Sequence, residues 1–124
     1  MDTRETRWGI ARLFLAGIFI HGGWSAFKEP GQRPRQAERL GLPRAETMVR
    51  ANGLAMAAGG TALALGIVPR VAAAGLIASL VPTTLAGHRF WEEEDEGARR
   101  AQLTQVLKNL GLIGGLLLVA SRSR

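Results

Sequence analysis

The chain contains no cysteine and no tyrosine, and only two histidines. Without thiols it can form no disulfide, thiolate metal site, Cys-x-x-Cys redox pair or cysteine nucleophile. Lysine is nearly absent: fourteen of the sixteen basic residues are arginine, leaving only Lys28 and Lys108. No phosphate-binding glycine loop, nucleophile–base pair or metal box is present, which argues against a self-contained hydrolase. No flavin, haem or iron–sulfur motif is present either, so no cofactor is intrinsic and any electrons must come from a partner. We therefore expect a chain that is not catalytic on its own.

What the chain does contain is apolar and segregated. Its 124 residues fit one small domain, here 1–124. The mean hydropathy of +0.08 looks soluble only because apolar and charged residues are averaged together. Four runs stand apart, at 8–27, 51–68, 71–87 and 103–120. The second and third carry no charge, the fourth carries only Lys108, and the first has Arg12 and His21 as its strongly polar members. A helix rises about 1.5 Å per residue, so a hydrocarbon core of roughly 30 Å takes about 20 apolar residues. A soluble bundle would need a polar face on each helix, and the two uncharged runs have none. The first run is too long for a cleaved leader and lacks a small-residue cleavage site followed by a soluble domain, so we expect it to remain as a helix. These features predict an all-α integral membrane four-helix bundle, with helices at about 8–27, 49–68, 71–87 and 103–120.

The connections predict how the helices are arranged. Pro69-Arg70 reads as a tight hairpin between the second and third spans. Residues 28–50 form a long basic connector with Pro30, Pro34 and Pro43, and its middle has room for a helical turn or two. Residues 88–102 include the acidic run from Glu92 to Glu96, and 121–124 form a short basic tail. Pro82 is expected to kink the third span. Gly53, Ala57, Gly60 and Ala64, and the pair Gly111 and Gly115, offer close helix packing; a homo-oligomer seam is the other reading of the glycine pair. The side of the membrane with the N-terminus, the hairpin and the tail carries six basic residues, Arg124 among them, and the side with the two long connectors carries ten, counting Lys108 at the start of the fourth span. The positive-inside rule then favours connectors in the cytoplasm and termini outside.

The net charge of +6 does not point to nucleic acid. The basic residues flank apolar spans, and no nucleic-acid-binding motif accompanies them. The lipid bilayer and its anionic headgroups are the expected partner. Five adjacent acids cannot all face one ion, so the acidic run reads as a solvated turn near a helix start and not as a metal site. His21 within the first span needs a hydrogen-bond partner or a ligand. His88, Arg89, Trp91, Lys108, Asn109 and Arg50 all fall at one membrane face. Such donors beside an apolar slot suit quinone carbonyls or lipid headgroups, which makes these six residues the candidate cofactor-binding set, with no catalytic residue assigned.

The segment 88–116 resembles the DoxX family of small bacterial membrane proteins. It shows the His-x-Phe-Trp-like start (His88, Phe90, Trp91), an acidic linker, then Lys108-Asn109-Leu110 leading to Gly114 and Gly115. Arg12, Gly17, Gly22, Gly23 and Lys28 fit the family's first helix. Glu46, Gly59, Gly60, Gly66 and Arg70 fit its second, although the acid falls earlier than in the family pattern. The resemblance implies a multipass protein of the bacterial plasma membrane, related to small subunits of thiosulfate–quinone oxidoreductases. The expected role is an accessory subunit of a redox system, with quinone as candidate ligand and an oxidoreductase as candidate partner. The alternatives are a scaffold docking a soluble partner on Arg33, Arg35 and Arg39, or a small-solute transporter, for which the first helix lacks the embedded glutamate.

Overall fold

The structure, a computed structural model, describes residues 2–122; Met1 and the end of the basic tail, including Arg124, lie outside them. The described residues form four long helices and one short one: α1 (Thr3–Lys28), α2 (Arg33–Arg39), α3 (Ala45–Leu65), α4 (Pro69–Gly87) and α5 (Glu96–Ala120). A single 3₁₀ turn, Phe90–Glu92, precedes α5. The fold is all-helical, as the sequence implies, but has five α-helices, the extra one in the first connector. Three stretches are long and apolar enough to cross a membrane: Thr3–Lys28, Pro69–Glu92 and Glu96–Ala120. α3 is not among them. Arg50, Asn52 and three glycines lower its hydropathy, and the same small residues let it pack most closely.

α1 and α5 start well before their apolar runs because caps, not hydropathy, set where a helix begins. α1 starts at Thr3, with the Asp2 side chain accepting from the Glu5 amide at 2.8 Å. α5 starts at Glu96, seven residues before the apolar run, with Asp95 accepting from the Ala98 amide at 2.9 Å. Both carboxylates satisfy orphan amides at the positive end of a helix. Glu96 then pairs with Arg100 at 2.9 Å.

The α3–α4 connection corrects the sequence expectation. α3 stops at Leu65, and the turn is Gly66-Ile67-Val68, with Pro69 already the first residue of α4. Gly66 takes φ 72°, the left-handed cap that glycine adopts without steric cost. Val68 is held at φ 37°, a costly position for a β-branched side chain. Pro82 does not interrupt α4. It removes the amide that would serve the Ala78 carbonyl, while the Thr83 and Thr84 hydroxyls donate to the neighbouring carbonyls of Ser79 and Leu80 at 2.9 and 2.8 Å.

α1 and α3 are the closest pair and run antiparallel. A Cβ on Gly23 would stand 2.5 Å from the Gly53 carbonyl oxygen, and one on Gly53 would stand 2.6 Å from the Gly23 oxygen. The two backbones touch there, which only glycine permits. Of the other glycine pair, Gly115 packs on Leu15, while a Cβ on Gly111 would meet nothing within 4 Å. Phe19, Leu63, Leu76 and Leu116 are fully buried at the centre. Large apolar side chains also cover the outside, Phe14 at 82% and Leu118 at 68% exposure among them. An outer surface this apolar is what a lipid solvent requires and water does not favour.

Three helix ends are closed by arginines from an antiparallel neighbour. Arg12 on α1 donates from Nε to the Leu63 carbonyl at the end of α3, at 3.1 Å. Arg50 on α3 donates to the Phe27 carbonyl at the end of α1, at 2.6 Å. Arg70 on α4 donates from Nε to the Ala120 carbonyl at the end of α5, at 3.3 Å. Each places a cation on orphan carbonyls at the negative end of a helix.

Candidate functional site

Where α1 and α4 end and α3 and α5 begin, the helices diverge around a cleft of about 480 Å³. This volume lies in the range of small-molecule sites, about 300–1,000 Å³. Its walls are apolar: Ile18 and Phe19 of α1, Met48 and Met56 of α3, Leu80 of α4 and Leu112 of α5. The short helix α2 lies along it through Gln36, Ala37 and Leu40. Polar groups reach it from three of the long helices.

Asn52 of α3 is fixed by two hydroxyls of α4. Its Oδ1 accepts from Ser79 Oγ at 2.6 Å, and its Nδ2 donates to Thr83 Oγ1 at 3.2 Å. Asn109 of α5 is 4% exposed and donates from Nδ2 to Thr84 Oγ1 at 2.8 Å. In an apolar interior such polar groups must find partners, and both amides do so across helix interfaces. His88 ends α4, with Nδ1 2.8 Å from Gln102 Oε1 of α5. With that oxygen as acceptor, the ring proton sits on Nδ1 and Nε2 is left an acceptor. Lys108 is exposed at the rim and donates to Gln105 at 2.8 Å.

The six sequence candidates therefore separate. His88, Lys108 and Asn109 line the cleft. Arg89 and Trp91 do not: they lie on and beside the 3₁₀ turn, with Arg89 paired to Glu92 at 3.0 Å and stacked over Trp91 at 5.6 Å. Trp91 meets Phe90 edge to face at 5.2 Å. Arg50 closes α1 and pairs with Glu46 at 3.3 Å, also outside the lining. His21 is exposed on α1 and has no hydrogen-bond partner among the described residues. Asn52 and Thr83 are lining residues that sequence reasoning did not select; a lone Asn and a Thr beside Pro82 inside uncharged runs were the available signal. Among the described residues, no three His, Asp or Glu side chains gather as for a metal ion.

No curated protein and no solved structure matches the chain. The DoxX family model matches residues 8–89, from Trp8 in α1 to just beyond α4. The segment after Arg89, where the motif resemblance looked closest, lies outside that match. The match takes in the α1, α3 and α4 walls of the cleft, while Lys108, Asn109 and Leu112 come from the unmatched last helix. With its several apolar membrane-length helices and a family match over about two thirds of its length, this multipass membrane protein belongs to the DoxX family.

Proposed function

We propose that the chain is an accessory subunit of a redox system in the bacterial plasma membrane, and that its cleft holds a quinone headgroup for a partner oxidoreductase. The reading rests on one observation: an apolar cleft of headgroup size into which Asn109, Asn52, Thr83, His88 and Lys108 converge. Quinone bound there would supply two-electron, two-proton redox capacity, with electrons drawn from the partner. The chain's own groups would orient it. Ile18, Met56, Leu80 and Leu112 give the ring an apolar slot, and Lys108 offers a donor to a carbonyl at the rim. With Nδ1 held by Gln102, His88 offers Nε2 as a hydrogen-bond acceptor to a quinol hydroxyl. Arg50, Arg89 and Trp91 lie outside the cleft lining.

A four-helix membrane core follows from the same reading: α3 crosses the bilayer beside α1 and α4, its small residues covered by its neighbours. The transporter alternative would rest on Glu46, which is exposed and paired with Arg50 at the start of α3. Of the scaffold alternative's docking residues, Arg35 and Arg39 are exposed on α2, while Arg33 is half-buried, lines the cleft and donates to the Glu29 carbonyl at 3.2 Å.

Purified full-length protein is expected to carry substoichiometric quinone and to melt several degrees higher when a soluble quinone analogue is added. His88→Ala and Lys108→Ala should each weaken that response about tenfold, roughly one hydrogen bond to a charged or polar partner. Arg89→Gln should leave it unchanged. An oxidoreductase recovered in stoichiometric amount from native membranes supports the subunit role. Absence of quinone together with no analogue-induced shift would remove the quinone part.

A further inference from the structure

The opposite end of the bundle carries a second groove, bounded by the start of α1, the α3–α4 turn and the last turn of α5, with a volume of about 1070 Å³. Arg12, Arg70 and Arg122 reach it from three different helices or their ends, against one acid, Glu5. Two of these arginines are anchored through Nε, on the Leu63 and Ala120 carbonyls. That geometry fixes each guanidinium and leaves its terminal nitrogens without a hydrogen-bond partner among the described residues. Arg122 is held by Glu5 at 2.6 Å and stacks on the Trp8 ring at 4.5 Å. The remaining wall is apolar, through Val71, Ala74 and Val119, and Val71 is 69% exposed on the outer surface. A cationic pocket is thus continuous with a surface that faces acyl chains, and an interfacial tryptophan stands beside it.

We propose that this groove binds one anionic phospholipid. Its phosphate lies on the guanidiniums of Arg12, Arg70 and Arg122, and its proximal acyl chain follows the exposed Val71 and Ala74. Planar guanidinium forks match phosphate oxygens. A free phosphate would leave the apolar wall unused. The quaternary ammonium of a choline lipid would meet the surplus positive charge. The site is at the other end of the molecule from the quinone cleft and does not depend on that reading.

Native mass spectrometry of the full chain in a neutral detergent tests it, with phosphatidylglycerol and phosphatidylcholine of matched chains as probes. One phosphatidylglycerol should be retained in preference to phosphatidylcholine. The R70Q/R122Q double variant should bind it about 30-fold more weakly, while R35Q/R39Q, equal in charge loss, should bind as the parent does. Glu5→Gln should bind it about fivefold more tightly by releasing Arg122. Equal retention of the two lipids, or unchanged binding by R70Q/R122Q, overturns the proposal. Displacement of the lipid by millimolar glycerol phosphate also overturns it, because the phosphate alone would then be the ligand. If R70Q/R122Q does not fold, Glu5→Gln decides: no gain in affinity overturns the proposal.

Discussion

Gly53→Leu is expected to destabilise the full-length protein by about 3 kcal/mol, the upper part of the range for overpacking a fitted interface. A Cβ at Gly53 falls 2.6 Å from the Gly23 carbonyl oxygen and 2.9 Å from both the Phe27 amide nitrogen and Ala26 Cβ. Two of those neighbours are backbone atoms, which no side-chain rotation can clear. The helices must therefore separate, and the contact between α1 and α3 is lost along with the register of the two arginine caps. Helices in lipid gain little by hiding apolar side chains from one another, so this close approach is a main source of their association. Gly17→Ala and Gly22→Ala are the controls. A Cβ at either position meets nothing within 4 Å, so both should melt close to the parent. A thermal melt in mild detergent reads the series. Gly53→Leu melting with the controls would show that the two backbones do not touch.

Arg12→Met together with Arg50→Met should cost about 3 kcal/mol, and each alone about half of that, as charge-assisted hydrogen bonds to helix-terminal carbonyls. The two arginines are reciprocal. Each lies on one helix of the antiparallel α1–α3 pair and closes the far end of the other, through Leu63 and Phe27. Methionine keeps much of the apolar stem and removes only the donor and the charge. Arg50→Met also separates two roles for this residue. As a cap, it should lower the melting temperature while leaving the quinone response of the folded protein unchanged. A folded Arg50→Met protein that has lost the quinone response would return Arg50 to the ligand site.

The membrane character of this chain was legible in its sequence because lipid imposes a simple rule: the spanning stretch must be apolar over a fixed length. The apolar runs accordingly fall inside α1, α4 and α5, and all but the last three residues of the second run fall inside α3. Helix ends were less legible. Hydropathy marks where lipid stops, whereas Asp2 and Asp95 mark where the helix starts, and in α5 the two differ by seven residues. The turn after α3 was misread for a related reason: Pro69 was taken as the break, but the left-handed Gly66 ends α3 and Pro69 opens α4. The small residues of α3 stood out as a packing face, but nothing local to the sequence identified Gly23 as the partner of Gly53.

The candidate site was legible only in part, and for a physical reason. Sequence reasoning can place polar residues at one membrane face but cannot tell a donor that is free from one already used. Arg50 is occupied by the end of α1, and Arg89 is held by Glu92 and Trp91 through its terminal guanidinium, although its buried Nε has no partner among the described residues. His88, Lys108 and Asn109 come together because α4 and α5 are antiparallel and the 3₁₀ turn between them is short. Asn52 and Thr83 join them only through the pairing of α3 with α4, which no linear spacing encodes.

The cleft is tested most directly by photolabelling native membranes with an azidoquinone and mapping the modified residues. Occupation of the cleft predicts labels concentrated on its wall, at Met56, Leu80 and Leu112, and lost when unlabelled quinone is added in excess. Labels spread over outward-facing side chains such as Phe14 and Leu118, and unaffected by competitor, would mean that quinone reaches this protein only as a component of the surrounding lipid.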